Sequence, residues 1–278
     1  MKSIIESTIT VLVILFQSYY STHPKFGYQL IKKDNDSIAT KSIIAKIRSY
    51  NNDSIKEAQF EGKTKINYRL LSPKINKNKK FPLVIVFHGS GAIGTDNVNQ
   101  LGVLTKLWLQ PYIQEKYPAF VLVPQFPVRS SNYINDVNRN VLTSKSEPCL
   151  ETVFELIELL KQQLPIDSKR VYVIGFSMGG STTINSLSLK PDLFAAGISI
   201  AGIPQFDKID SLSNIPIWLI HGNNDTENPI DSDRQFYKEA NLKNKIRFWE
   251  VENTGHNDIL FSGILDDAIP KWLFLHHK

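Results

Sequence analysis

From residue 60 onward the chain alternates short apolar runs with amphipathic stretches. Residues 81–87 (Phe-Pro-Leu-Val-Ile-Val-Phe) and 119–123 (Ala-Phe-Val-Leu-Val) are continuously apolar. That is the pattern of strands buried on both faces of a parallel sheet, and Pro124 is expected to stop the second. Further strands read off at 60–71, closed by Ser72-Pro73, and at 170–175, 195–200, 215–220 and 246–251. Between 151 and 164 the apolar positions Val153, Leu156, Ile157, Leu160 and Leu164 repeat at helical spacing, which gives an amphipathic helix with one buried face. Helices are also expected over 178–189, 231–242 and 266–275. Strands alternating with helices imply right-handed crossovers and a doubly wound, mostly parallel sheet covered on both faces. Residues 59–278 thus read as one α/β domain. Residues 23–58 are polar and read as a loosely structured lead-in, with a short helical turn near 43–47.

The N-terminal 22 residues follow a different pattern. An apolar run at 9–16 follows Lys2 and Glu6. It is too short to span a bilayer, for which about 20 residues are needed, and it suits the apolar region of a secretory signal. The segment is expected to direct export to a periplasmic or extracellular compartment. Membrane contact arises only if it stays uncleaved as an anchor.

Composition narrows the picture modestly. With 42% hydrophobic and 21% charged residues, the chain can bury a core and is neither disordered nor fibrous. The net charge of +5 is spread along the chain rather than gathered on one face, so nucleic acid is not an expected partner. The single cysteine, Cys149, excludes an intramolecular disulfide and any cysteine-built metal centre; it reads as a small buried side chain. No His-x-x-x-His pair lies on an expected helix and no Gly-x-Gly-x-x-Gly follows a strand. Neither a metal nor a dinucleotide cofactor is therefore expected.

The candidate chemistry gathers around Ser177. Gly175-Phe176-Ser177-Met178-Gly179 joins an expected strand to an expected helix, the setting of a nucleophile elbow. A serine hydroxyl needs a base to take its proton and a carboxylate to orient that base. In this architecture both partners should lie on loops after later strands. Of the six histidines, His256 follows the strand 246–251 and is preceded by Gly255; it is the expected base. His221 also ends a strand, and is expected to pack or to bond the backbone. Asp225, in His221-Gly222-Asn223-Asn224-Asp225, is the expected acid, with Glu227, Asp231 and Asp233 as competitors. Asp231 and Asp233 are better placed at the positive end of the following helix. Oxyanion donors are expected at the amides of Met178 and of Ser90, with Gly91 as the second choice in His88-Gly89-Ser90-Gly91.

Taken together, His88-Gly89-Ser90-Gly91, Gly175-Phe176-Ser177-Met178-Gly179-Gly180, His221-Gly222-Asn223-Asn224-Asp225 and Gly255-His256 resemble the α/β-hydrolase superfamily. The likeness is closest to its carboxylesterase, dienelactone-hydrolase and feruloyl-esterase-like branch, which includes peptidase-type members. It extends from residue 60 to the C-terminus. It implies the α/β-hydrolase fold, with Ser177 as nucleophile, Asp225 as acid and His256 as base. Thr226-Glu227-Asn228-Pro229 departs from the pattern, since relatives usually place a small or apolar residue before that proline.

Only some 14 residues separate the strands ending near 200 and beginning at 215, which leaves no room for a lid domain. An open site is expected, suited to a small or carbohydrate-borne ester such as an acetyl or feruloyl ester. Leaving-group contacts are expected from the loop 126–148, through Arg129 and Tyr133, with Arg139 nearby. Two other functions fit the same sequence: a serine peptidase on the same triad, and a non-catalytic binding module on a hydrolase fold.

Overall fold

The computed structural model describes residues 26–32, 37–74, 79–240 and 245–278. The expected signal or anchor at 1–22 lies outside these. Among the described residues, no helix is long and apolar enough to cross a membrane.

Eleven strands are present among the described residues: β1 (Gly27–Ile31), β2 (Ile55–Glu61), β3 (Lys65–Leu71), β4 (Phe81–Phe87), β5 (Phe120–Gln125), β6 (Ser131–Asp136), β7 (Val141–Ser146), β8 (Ile166–Phe176), β9 (Ala196–Ile200), β10 (Ile217–Gly222) and β11 (Ile246–Val251). Four helices have nine or more residues: α1 (Ser37–Ser49), α2 (Cys149–Gln163), α3 (Met178–Leu189) and α4 (Asp231–Glu239). Nine strands form one sheet in the order β1-β11-β10-β9-β8-β4-β5-β3-β2, while β6 and β7 make a separate hairpin. Strands β1 to β5 in that order pair in parallel, and β3 and β2 add antiparallel at the far edge.

The continuously apolar runs are central strands. Every residue of β4 and β5 is buried, and alternate side chains of β4 serve opposite faces. Val84 and Val86 join Ile47 of α1 and Trp272 of the C-terminal segment in one core. Leu83, Ile85 and Phe87 join Leu156 of α2, Leu187 of α3 and Phe236 of α4 in the other. This is the α/β-hydrolase fold, and no separate lid domain interrupts residues 201–216 between β9 and β10.

The structure departs from the sequence expectations at four places. The described residues of 23–58 are not a loose lead-in: they form β1, α1 and most of β2. β1 is drawn into the sheet by β11, where Trp249 Nε1 donates to Gln29 Oε1 (2.6 Å). The stretch 60–71 is not one strand but the second half of a β2–β3 hairpin that turns at 62–64. Pro124 does not end β5; it pairs opposite Tyr68, whose carbonyl accepts instead from Asn97 Nδ2 (3.2 Å). The expected loop 126–148 contains the β6–β7 hairpin. Its inward face is polar and bonds α3, with Ser131 Oγ sharing a hydrogen bond with Thr182 Oγ1 (2.9 Å) and accepting from Asn185 Nδ2 (2.8 Å).

Candidate active site

β8 passes into α3 through Ser177, whose φ of 57° and ψ of −122° are costly for any residue with a Cβ. Two close approaches force this turn. A Cβ on Gly175 would overlap the backbone of Gly179, and one on Gly179 would overlap the Phe87 carbonyl at the end of β4. The Ser177 amide donates to the Ile200 carbonyl (2.8 Å), fixing the turn to β9. The hydroxyl is thereby held out at the carboxyl end of the sheet, where α/β folds place their sites.

His256 lies on the turn after β11 and Asp225 on the turn after β10. The Ser177 hydroxyl donates to His256 Nε2 (2.8 Å), and His256 Nδ1 donates to Asp225 Oδ2 (2.6 Å). The Phe176 ring packs on the imidazole at 4.9 Å between centroids. Asp225 Oδ1 accepts the amides of Glu227 (3.0 Å) and Asn228 (2.9 Å). Burial pushes the Asp225 carboxyl up, but hydrogen bonds from His221 and His256 and the Asn228 amide outweigh it and hold it below the ordinary carboxylate range. The three residues expected from sequence are thus brought into one hydrogen-bonded relay. Asn228, at the position where the loop departs from the family pattern, donates through Nδ2 to the Ala201 carbonyl (2.7 Å) and ties the acid loop to the turn after β9.

The competing carboxylates fall elsewhere. Glu227 is exposed, with Oε2 3.8 Å from His256 Nε2 and Oε1 accepting from Asn257 (3.1 Å). Asp231 pairs with Arg234 at the surface (3.0 Å). Asp233 does lie in the first turn of α4, but its carboxylate turns inward to His221 Nδ1 (2.7 Å). His221 does bond the backbone as expected, through Nε2 to the Asn228 carbonyl (2.8 Å), and Nε2 also lies 3.3 Å from Asp225 Oδ2. Burial would lower the His221 pKa, but the two carboxylates outweigh it and raise it to about 9.

Beside Ser177 and His256 opens a cavity of about 430 Å³. Ser90 and Gly91 line it, and Met178 opens α3 directly after Ser177, so its amide is among the first-turn donors without an intrahelical acceptor. The loop carrying Ser90 is fixed by His88. This buried imidazole accepts the Phe126 amide at Nε2 (3.0 Å) and donates from Nδ1 to the Gly89 carbonyl (2.8 Å). Burial lowers its pKa, in keeping with that neutral tautomer.

Arg129 and Tyr133 do not line this cavity. The Arg129 guanidinium instead stacks on the Tyr133 ring (5.3 Å), and the Tyr133 hydroxyl accepts from Ser181 Oγ (3.2 Å) on α3. The wall is built by residues that sequence reasoning missed, among them Asn99, Gln100, Asn257 and Leu260, together with Glu227, which was weighed only as an acid. The one local signal for that wall was Asp96, whose Oδ1 caps the amides of Val98 and Asn99 and turns the chain.

Residues 130–275 match the model of the prolyl oligopeptidase family. A crystal structure of a thermostable esterase superposes with a TM-score of 0.73 and 31% identity, covering 81% of this chain and 64% of that one. A bifunctional acetylxylan esterase/xylanase of Neocallimastix patriciarum is 37% identical over 73 residues, 26% of this chain and 11% of that protein. Dipeptidyl peptidase 4 of Sus scrofa is 29% identical over 156 residues, 54% of this chain and 19% of that protein. The chain therefore spans under two thirds of the solved esterase, and between a tenth and a fifth of these two longer proteins.

Proposed function

The chain belongs to the prolyl oligopeptidase family of serine hydrolases, and from that premise we propose that it hydrolyses carboxylic esters through an acyl-enzyme on Ser177. The observation that carries the reading is the unbroken relay from Ser177 through His256 to Asp225, opening on a cavity. Ser177 Oγ attacks the acyl carbon while His256 Nε2 takes its proton. Asp225 fixes the His256 tautomer and stabilises the imidazolium. The amides of Met178 and Ser90, with Gly91 beside them, receive the charge that develops on the carbonyl oxygen. Collapse expels the alcohol with the proton from His256, and water then repeats the sequence to release the acid.

The likeness to an esterase structure and to an acetylxylan esterase favours an acyl group borne on carbohydrate, acetyl or feruloyl. Asn99, Gln100, Glu227 and Asn257, set among the apolar Val103, Leu104 and Leu260, offer hydrogen-bond partners to a hydroxyl-rich alcohol portion. The likeness to dipeptidyl peptidase 4 favours a second reading, a peptidase on the same relay.

Intact-mass spectrometry after fluorophosphonate treatment tests the chemistry: one adduct is expected on the parent and none on Ser177→Ala. Parallel turnover of acetylated xylan, feruloylated oligosaccharide and peptide anilides then tests the class. Release of acetate or ferulate supports the ester reading, and cleavage of peptides alone replaces it with the second. A folded parent that takes no adduct would return the binding module to the front.

A further inference from the structure

Behind the relay lies a second pair that the proposed chemistry does not use. His221 is the penultimate residue of β10, and it and the Asp233 carboxylate are fully buried. The same Asp225 Oδ2 that accepts the His256 Nδ1 hydrogen bond lies 3.3 Å from His221 Nε2. Two histidines thus converge on one carboxylate oxygen, and a second carboxylate stands on the far side of His221.

The hydrogen-bonding partners constrain the protons. His221 Nε2 faces the Asn228 carbonyl, which can only accept, so Nε2 carries a proton. Nδ1 faces Asp233 Oδ2 at 2.7 Å. If that carboxylate is ionised it too can only accept, and the ring is an imidazolium. The alternative is a neutral ring accepting from a protonated Asp233, whose Oδ1 is buried without a partner. Burial pushes the Asp233 carboxyl up and works toward that neutral pair, but the Asp225 charge 3.3 Å from Nε2 works toward the cation, since an opposite charge at that range stabilises the charged form.

Other charges around the pair are already engaged. Glu250, opposite His221 in the β10–β11 register, is bound by Arg234 (2.6 and 3.1 Å) and by the Tyr28 hydroxyl (3.4 Å). Asp231 is the second partner of Arg234. Glu227 is turned to the His256 side and exposed.

We propose that His221 and Asp233 act as a buried positioning pair: His221, held as a cation between two carboxylates, fixes Asp225 against His256 and withdraws part of its negative charge. Close packing of the two loops supports this role. A Cβ on Gly222, next to His221, would overlap the Thr254 carbonyl two residues before His256. The inference rests on the serine-hydrolase reading, because it assigns His221 a part in that relay.

The charge distribution gives a directional test. Asp233→Asn keeps the side-chain shape and can donate to Nδ1 of a neutral His221. With His221 neutral, Asp225 acts on His256 with its full charge and the His256 imidazolium is stabilised. The acid limb of kcat/KM then moves to higher pH by about half to one unit, so that kcat/KM at pH 6 falls roughly threefold to tenfold relative to the plateau. A merely structural role would lower activity at every pH without moving the limb.

The experiment has two arms on the full chain. Nitrogen-15 NMR of histidine-labelled parent reads the His221 ring directly: protons on both nitrogens between pH 6 and 8 are expected. One unprotonated ring nitrogen in that range overturns the proposal, and this arm stands if Asp233→Asn fails to fold. The pH profile of Asp233→Asn on a soluble aryl acetate is the second arm, and a limb that superimposes on the parent's also overturns it. Fluorophosphonate labelling of the parent, run alongside, separates the two readings. An unlabelled parent defeats the hydrolase reading whatever His221 shows, while a labelled parent with neutral His221 defeats only the positioning pair.

Discussion

The strain at Ser177 can be measured by comparing two substitutions at that one position. At φ 57° and ψ −122° a Cβ-bearing residue stores about 1–3 kcal/mol, held there by the Ser177 amide bond to Ile200 and the close approaches of Gly175 and Gly179. Ser177→Ala and Ser177→Gly both remove the hydroxyl and its bond to His256, a loss of about 0.5–1.5 kcal/mol in each. Only glycine also removes the Cβ. Against that relief stands the greater freedom of glycine in the unfolded chain, about 0.5–1 kcal/mol. The difference leaves the glycine variant more stable than the alanine variant by about 1 kcal/mol. Urea unfolding followed by far-UV circular dichroism at pH 7 reads this as a higher midpoint for glycine at equal slope. An alanine variant as stable as the glycine variant would mean that the turn is not strained, and the steric account of the elbow would fail.

Further expectations follow from the relay and its surroundings. Asp225→Asn should lower kcat by roughly 10³- to 10⁴-fold with little change in fold, because His256 loses the acceptor that sets its tautomer; circular dichroism and ester turnover together check this. Gly222→Ala should destabilise the protein by about 1–3 kcal/mol, since its Cβ meets the Thr254 backbone, which a thermal melt would show. The His221 pKa is raised from 6.5 to about 9, so its stabilising contribution is complete below 6.5 and is lost as pH rises through 9. The parent should therefore lose stability between pH 7 and 9.5 that Asp233→Asn does not lose, and urea midpoints across that range decide the point. Cys149 is buried and its thiol is pushed up by burial to about 11. It should resist thiol reagents at pH 8 until the chain is unfolded, and a prompt reaction in the native protein would contradict its burial.

The relay was legible because each of its members is announced locally. Ser177, Asp225 and His256 each follow an apolar strand, and glycines at 175, 222 and 255 mark the turns. The sheet edges were not legible. β1 reads Gly-Tyr-Gln-Leu-Ile with Tyr28 and Leu30 exposed, so it shows no continuous apolar face, and its partner lies far along the chain. β2 presents Lys56, Glu57, Gln59 and Glu61 outward for the same reason. The β6–β7 hairpin looked like a loop because its buried positions are Ser131, Thr143 and Ser144. Those side chains are satisfied by hydrogen bonds to α3 and to the Pro204 carbonyl, and not by apolar contact. The cavity wall depends on Asn97, whose backbone amide donates to Gln125 Oε1 on β5 (2.6 Å) and whose Oδ1 accepts from Gln100, and the first of these is a long-range bond that no local spacing reveals.

The first and last strands, β1 and β11, pair at one edge of the sheet, where Gln29 and Trp249 are joined by a hydrogen bond spanning 220 residues. During synthesis the strands from β2 to β9 can find one another while the ribosome is still translating, but β1 must wait for β11. Such long loop closure is entropically slow. Docking of β1 is therefore a late event in folding, and until it happens β11 presents a bare strand edge. A chain halted before residue 246 would keep an unpaired N-terminal strand, so the sheet edge is completed only by this last pairing, after the central strands that carry the serine.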